Sequence, residues 1–169
     1  MKTKDMTMGA IFVALISIGS KIAIPLDVLG MRFTLQWLFV LLCALIMEKK
    51  SVLVLVVYLL IGLIGLPVFA RGGGIWYIMK PTFGFLLGFL FAVFVMSYLE
   101  CSAIKKTMAG LTVYYLSGFV YYVFMMNAVL NNSVGLWLSV INCFTTAVPD
   151  FLLCLIAVFI FKRMRYVLK

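Results

Sequence analysis

The sequence predicts an all-α integral membrane protein built as a bundle of six transmembrane helices, on three observations. Of its 169 residues, 66% are hydrophobic and only 11% are charged, against roughly 45–50% and ~25% in an average soluble domain. Its mean hydropathy is +1.24, more apolar surface than a soluble globule of this size can hide. The apolar residues fall into runs separated by charges, prolines or glycines, and at about 20 residues per crossing the length admits some six spans and no large soluble module. The chain is therefore read as a single membrane domain over residues 1–169.

The runs follow in order. The first covers about Met6 to Ile24 and stops near Pro25 and Asp27; it is too long for a signal peptide and is read as an uncleaved span. The second runs from about Thr34 to Met47, ending at Glu48-Lys49-Lys50. The third runs from Ser51 to Phe69 and is broken by Arg71-Gly72-Gly73-Gly74. Pro81 suits a first helical turn and opens the fourth, which ends at Glu100. The fifth spans about Met108 to Leu130 and the sixth about Pro149 to Tyr166. Between them, Asn131, Asn132, Ser133, Asn142, Thr145 and Thr146 make 131–148 too polar for a lipid-facing span, and a structured connection is expected there.

Charge sets the orientation. With the N-terminus in the cytoplasm, Lys2, Lys4, Lys49, Lys50, Lys105, Lys106, Lys162, Arg163, Arg165 and Lys169 all lie on that side. They are ten of the fourteen basic residues, leaving Lys21, Arg32, Arg71 and Lys80 outside, as the positive-inside rule requires. Both termini are then cytoplasmic, and the protein is multi-pass in the cell membrane. The net charge of +9 is explained by orientation rather than by nucleic acid.

The inventory of reactive groups excludes several functions. With no histidine, the commonest general base and metal ligand is missing; no metal site or cofactor is expected. Cys43, Cys101, Cys143 and Cys154 form no C-x-x-C pair and read as small hydrophobes. There is no phosphate-binding G-x-x-x-x-G-K-[ST] run, and no span carries paired acids for a proton relay. Uphill transport would need energy from a partner. An intramembrane enzyme, the rival from another class, lacks the usual nucleophile–base or metal equipment.

The unexpected polar residues gather in three external connections: Ile24 to Phe33, Arg71 to Lys80, and Asn127 to Asp150. Asp150, just after Pro149, is either stabilised by a helix dipole, at ~0.3–1 kcal/mol, or accepts hydrogen bonds from the N–H groups of a ligand. In the Arg71–Lys80 segment, glycines permit close backbone approach, and Trp76 and Tyr77 offer flat surfaces with a polar edge. Arg71 and Lys80 would meet a carboxylate or lipid phosphate. Small residues four apart, Ala10/Ala14 and Gly84/Gly88, suit close helix packing, internal or with another subunit.

Leu59-Leu-Ile-Gly-Leu-Ile-Gly-Leu-Pro-Val-Phe-Ala70, the glycines that follow, and Pro81-Thr-Phe-Gly-Phe-Leu-Leu-Gly-Phe89 resemble the BioY family. Its members are the biotin-binding S components of energy-coupling factor (ECF) transporters. Ile24-Pro25, Phe33-Thr-Leu-Gln36 and Pro149-Asp150 extend the similarity over nearly the whole chain. The resemblance implies an S-component-like six-helix substrate-binding subunit that captures biotin at its external face, beneath the loop after the third helix. Asp150 would accept ring N–H groups, Arg71 or Lys80 would meet an anionic group, Trp76 and Tyr77 would cover the apolar part, and Gln36 and Tyr115 would line the wall. Ala10 and Ala14 match the motif through which such subunits dock on a transmembrane coupling subunit, driven by two ATPases. Two positions depart from the family: Leu153 stands where a lysine is common, and Arg71 where a small or amide residue is usual. They suggest a cation relocated to the third loop, or a related ligand such as lipoate or a biotin precursor.

Overall fold

The computed structural model describes residues 2–25, 32–130 and 135–167. Asp27, Asn131, Asn132, Ser133 and Lys169, used above, lie outside that set. Seven helices follow in order: α1 (Thr3–Lys21), α2 (Gln36–Met47), α3 (Ser51–Ile64), α4 (Phe83–Tyr98), α5 (Ala103–Phe124), α6 (Leu136–Phe144) and α7 (Ala147–Val167). Two short strands depart from the all-α expectation. β1 (Ala23–Pro25) pairs antiparallel with β2 (Arg32–Thr34), Ile24 opposite Phe33, and carries the chain back from α1 into α2.

The boundaries moved for local reasons. α3 stops at Ile64, short of Phe69, because Gly65 adopts φ +125, a conformation that L side chains rarely take. Pro81 is not in the first turn of α4; it sits in the preceding turn, with Thr82 as the capping residue. α5 begins five residues before Met108, since Lys105 and Lys106 can lie along the helix end with their amines in the aqueous layer. After Phe124 it continues into one π-helical turn, Met125–Val129. The connection after it contains a helix of its own, α6, whose nine residues are too few to span. Two stretches, Ala103–Val129 and Leu136–Tyr166, are long and apolar enough to cross a membrane.

Packing differs from that of a water-soluble fold on the outside: the core is mainly apolar, and so is much of the surface. Ser20, Gln36, Ser51, Ser97, Thr107, Ser139, Asn142, Thr146 and Asp150 are buried, while Ile11, Leu60, Phe94, Leu116, Val120, Leu152 and Phe159 face outward. α6 shows this most sharply: Ser139 and Asn142 turn inward and Leu136 and Trp137 outward. Asn142 Nδ2 donates to Tyr122 Oη at 2.9 Å, fastening α6 to α5.

Of the two small-residue pairs, Gly84/Gly88 is internal and Ala10/Ala14 is not. A Cβ at Gly84 would meet Tyr121 Cβ at 2.3 Å, and one at Gly88 the Tyr114 carbonyl at 2.9 Å; Gly110 and Gly118 of α5 return the arrangement against Met96 and Phe85. Glycines on both partners thus let α4 and α5 approach closely and gain dispersion contacts that apolar lipid does not offset. Ala10 and Ala14 lie on the exposed face of α1.

At the end of the bundle bearing the α2–α3 turn, Lys50 Nζ lies 2.7 Å from Asp5 Oδ2, and Lys49 sits over the Tyr98 ring. Hydrogen bonding from Lys50 holds the Asp5 carboxyl below its ordinary 3.8. The Glu48 carbonyl in that turn accepts from Ser97 Oγ at 3.0 Å and from Ser51 Oγ, which stabilises Glu48 at its unusual φ of +49.

Candidate binding site

Opposite the Lys49–Lys50 turn, a half-open cavity of about 90 Å³ lies between α2, α4, α5, the α6–α7 junction and the loop after α3; Thr34, Gln36, Arg71, Tyr77, Phe85, Phe89, Tyr114 and Thr146 are among its walls. A water needs ~10–15 Å³ of such space, so a ligand can displace several at once.

One wall is aromatic. Trp37 stacks on Tyr114 with centroids 4.6 Å apart, and Phe89 stacks on Tyr114 at 5.2 Å and 3°. Phe85 meets the Tyr114 edge at 5.3 Å. Offset and edge-on pairs hold such rings firmly, which makes this wall flat, apolar and rigid.

A polar group adjoins it, the Tyr115 ring edge-on to Tyr114 at 5.0 Å. Asp150, 4% exposed, stands in the first turn of α7, one helical turn from Thr146. Tyr115 donates to Asp150 Oδ2 at 2.5 Å and lies 3.0 Å from Thr146 Oγ1, its hydroxyl bridging the two. Because Tyr115 gives its only proton to the carboxylate, Thr146 is the donor in the second bond. Thr146 is at the cavity surface; Asp150 and Tyr115 form the layer behind it. Leu153 and Cys154, one turn further along α7, are buried.

The roof is the loop 65–80. It is folded rather than slack: Phe69 and Gly72 form a two-residue bridge, Gly74 N–H donates to the Gly62 carbonyl at 2.7 Å, and Ile75–Met79 makes a 3₁₀ turn. Gly73 is required by close approach, since a Cβ there would lie 2.1 Å from the Leu66 carbonyl oxygen. Tyr77 is buried under this turn and lines the cavity, while Tyr121 Oη ties the turn to α5 through the Ile78 carbonyl at 2.5 Å.

Of the residues singled out in the sequence, Gln36, Arg71 and Tyr77 line the cavity directly, and Tyr115 and Asp150 back it. Lys80 stands one step away, its amine 4.4 Å above the Tyr77 ring and 3.5 Å from the Arg71 carbonyl. Trp76 is not brought into this group: it is 80% exposed, facing away from the cavity. Thr146, Tyr114 and Thr34 were not singled out. The i, i+4 spacing of Thr146 and Asp150 was a usable signal for the first; Tyr114 was hidden beside Tyr115, where a one-residue step chooses a different helix face.

Comparisons with known proteins give a family and a fold. The family model described as "BioY family" matches residues 1–169. A protein of Lysinibacillus sphaericus named "Probable biotin transporter BioY" is 33% identical over 178 residues, covering 99% of this chain and 89% of that one. The "Biotin transporter BioY" of Thermotoga maritima is 39% identical over 132 residues, 73% of this chain and 75% of its own. A crystal structure at 2.1 Å, the S-component for biotin from an ECF-type ABC transporter, superposes with a TM-score of 0.83 at 21% identity, covering 98% of this chain and 92% of that one. That likeness establishes a shared fold.

Proposed function

The chain belongs to the BioY family, and from that premise we propose that it is the substrate-capture subunit for biotin uptake by an ECF transporter. It is an integral membrane protein, and it binds and hands over its ligand rather than transforming it. The observation that carries the reading is the meeting, beside one small cavity, of the Trp37–Tyr114–Phe89 stack with the Thr146–Tyr115–Asp150 network. Biotin has matching faces: an apolar sulfur-containing ring and chain, two ring N–H donors, and a terminal carboxylate.

In this reading the N–H groups are taken up at the polar group by Thr146 and Asp150, with Tyr115 holding the carboxylate in place. Arg71 at the roof, with Lys80 behind it, meets the ligand's carboxylate; Tyr77 closes over the apolar part and Gln36 completes the wall. Lipoate lacks ring N–H groups and would leave buried acceptors unpaired, which disfavours it strongly. Trp76 is assigned to the membrane–water boundary, where exposed tryptophans concentrate.

Six crossings are supplied by α1, α2, α3, α4, α5 with its π-helical turn, and α6–α7 together. The termini and the Lys49–Lys50 turn face the cytoplasm, as ten of fourteen basic residues require, and the cavity faces outward. The exposed Ala10/Ala14 face of α1 docks on the coupling subunit, whose two ATPases supply the energy.

Calorimetry of the purified protein with biotin, dethiobiotin and lipoate tests the assignment. Biotin is expected to bind and lipoate to fail, with Arg71→Ala and Lys80→Ala each weakening biotin about tenfold, as for loss of a charge-assisted contact. Undiminished affinity in both variants overturns the carboxylate assignment.

A further inference from the structure

A single line of buried hydrogen bonds joins the cavity wall to the base of the roof. Gln36, 3% exposed, donates through Nε2 to Tyr58 Oη at 2.8 Å. Tyr58, fully buried in α3, donates in turn to the Val68 carbonyl at 3.0 Å. The same carbonyl lies 2.8 Å from Ser20 Oγ, whose one proton it shares with the Ser17 carbonyl at 2.7 Å, and its neighbour, Phe69 O, accepts from Lys21 Nζ at 2.8 Å. Three side chains from two helices therefore hold two successive carbonyls.

Val68 and Phe69 lie outside every helix; the Val68 carbonyl is held by these side-chain donors, while the Phe69 carbonyl also accepts from Gly72 N–H at 3.2 Å. The Phe69 ring is fully buried, edge-on to Tyr58 at 5.6 Å and tilted against Tyr77 at 4.8 Å. Tyr77 lines the cavity. Position thus passes from Tyr58 to the turn at Val68, through the Phe69 ring, to the side chain that covers the ligand. Gln36 is the one member of the line that touches the cavity, and a ligand engaging its amide bears directly on Tyr58. Ser20 and Lys21 extend the line to the end of α1, the helix whose other face carries Ala10 and Ala14.

We propose that Tyr58 is a positioning residue which, with Ser20 and Lys21, clamps the Val68–Phe69 turn, seats the loop 70–80 over the cavity, and couples that seating to occupancy felt at Gln36. The ligand in this proposal is the biotin of the preceding reading, while the clamp itself is a property of the ligand-free chain.

Tyr58→Phe keeps the ring and deletes the hydroxyl that is both acceptor and donor in the line. Two measurements follow on purified protein: biotin association and dissociation rates, and amide hydrogen exchange with and without biotin. Dissociation is expected to rise about tenfold with association little changed, as for one lost buried hydrogen bond in a closed state. In the ligand-free variant, exchange at 69–74 should rise about tenfold while the α4–α5 amides keep wild-type rates, which a general loss of stability would not do. Ser20→Ala should give the same local exchange signature and serves alone if Tyr58→Phe does not fold. Wild-type exchange at 69–74 in the folded variants, or a dissociation rate unaltered by Tyr58→Phe, overturns the proposal. Failure of the wild-type protein to bind biotin would count against the biotin reading only; the ligand-free exchange would still decide the clamp.

Discussion

Replacing Gly62 by alanine tests how tightly the roof depends on the helix beneath it. A methyl there would lie 2.1 Å from Phe69 Cζ, whereas ordinary contact begins at 3.4 Å, so the ring must retreat by about 3.4 − 2.1 = 1.3 Å. It has little room, being fully buried between Tyr58 and Tyr77 with its own carbonyl held by Lys21. Overpacking of this kind costs ~1–3 kcal/mol, and the better helix propensity of alanine offsets ~1 kcal/mol. The net loss of stability is then only ~0–2 kcal/mol, and the ring's displacement passes to Tyr77 and the ligand. Biotin affinity should therefore fall about tenfold, equivalent to ~1.4 kcal/mol, while the melting temperature in detergent drops by a few degrees at most. Calorimetry and thermal unfolding on the same preparation read both, with Gly135→Ala, whose Cβ would meet nothing within 4 Å, as the silent control. A Gly62→Ala protein that binds biotin as tightly as wild type refutes the proposed path through Phe69.

Other expectations concern distant parts of the molecule. Ala10→Leu combined with Ala14→Leu, on the exposed face of α1, should leave biotin affinity intact and abolish co-purification with a coupling subunit; retained assembly would exclude that face. Tyr115→Phe removes a hydrogen bond to Asp150 and the partner of Thr146, and should weaken biotin about tenfold, as calorimetry would show; Phe151→Leu, on a half-exposed neighbour, should not. The Asp5–Lys50 contact gives a small pH dependence. Because the folded carboxyl titrates below its ordinary 3.8, the contact contributes above that pH and is lost as pH falls through the lower folded value. The difference in melting temperature between wild type and Asp5→Asn should accordingly be present at neutral pH, small as befits an exposed pair, and vanish in strong acid.

The bundle was legible because lipid-facing helices need long apolar runs, and those runs survive any arrangement of neighbours. The ends were less so. Gly65 terminates α3 through a backbone angle that no hydropathy window registers, and the pairing of β1 with β2 joins residues such as Ile24 and Phe33 across an intervening stretch of chain. In the sequence, α6 reads as a connection because Asn142 and its polar neighbours count against a lipid-facing span; Asn142 faces Tyr122 and the core instead. In the site, Asp150, Arg71, Gln36, Tyr77 and Tyr115 stood out as polar or amphipathic groups in apolar surroundings. Tyr58 and Tyr114 did not, since a tyrosine inside an apolar run reads equally as packing until its hydroxyl's partner is known. Trp76 shows the converse, a residue of the right chemistry in the right loop that the 3₁₀ turn directs outward.

The glycine seam between α4 and α5 has a mechanical corollary. Two rods interlocked backbone to backbone along most of their length cannot be prised apart without forfeiting every contact at once, so they behave as one stiff plank. Any breathing that admits or releases a guest is then left to the roof, which is tied to the ends of α1 and α3 and, through Tyr121, to α5 by a handful of hydrogen bonds. The door and its frame are in this way made by different physics, the frame by dispersion between bare backbones and the hinge by replaceable hydrogen bonds.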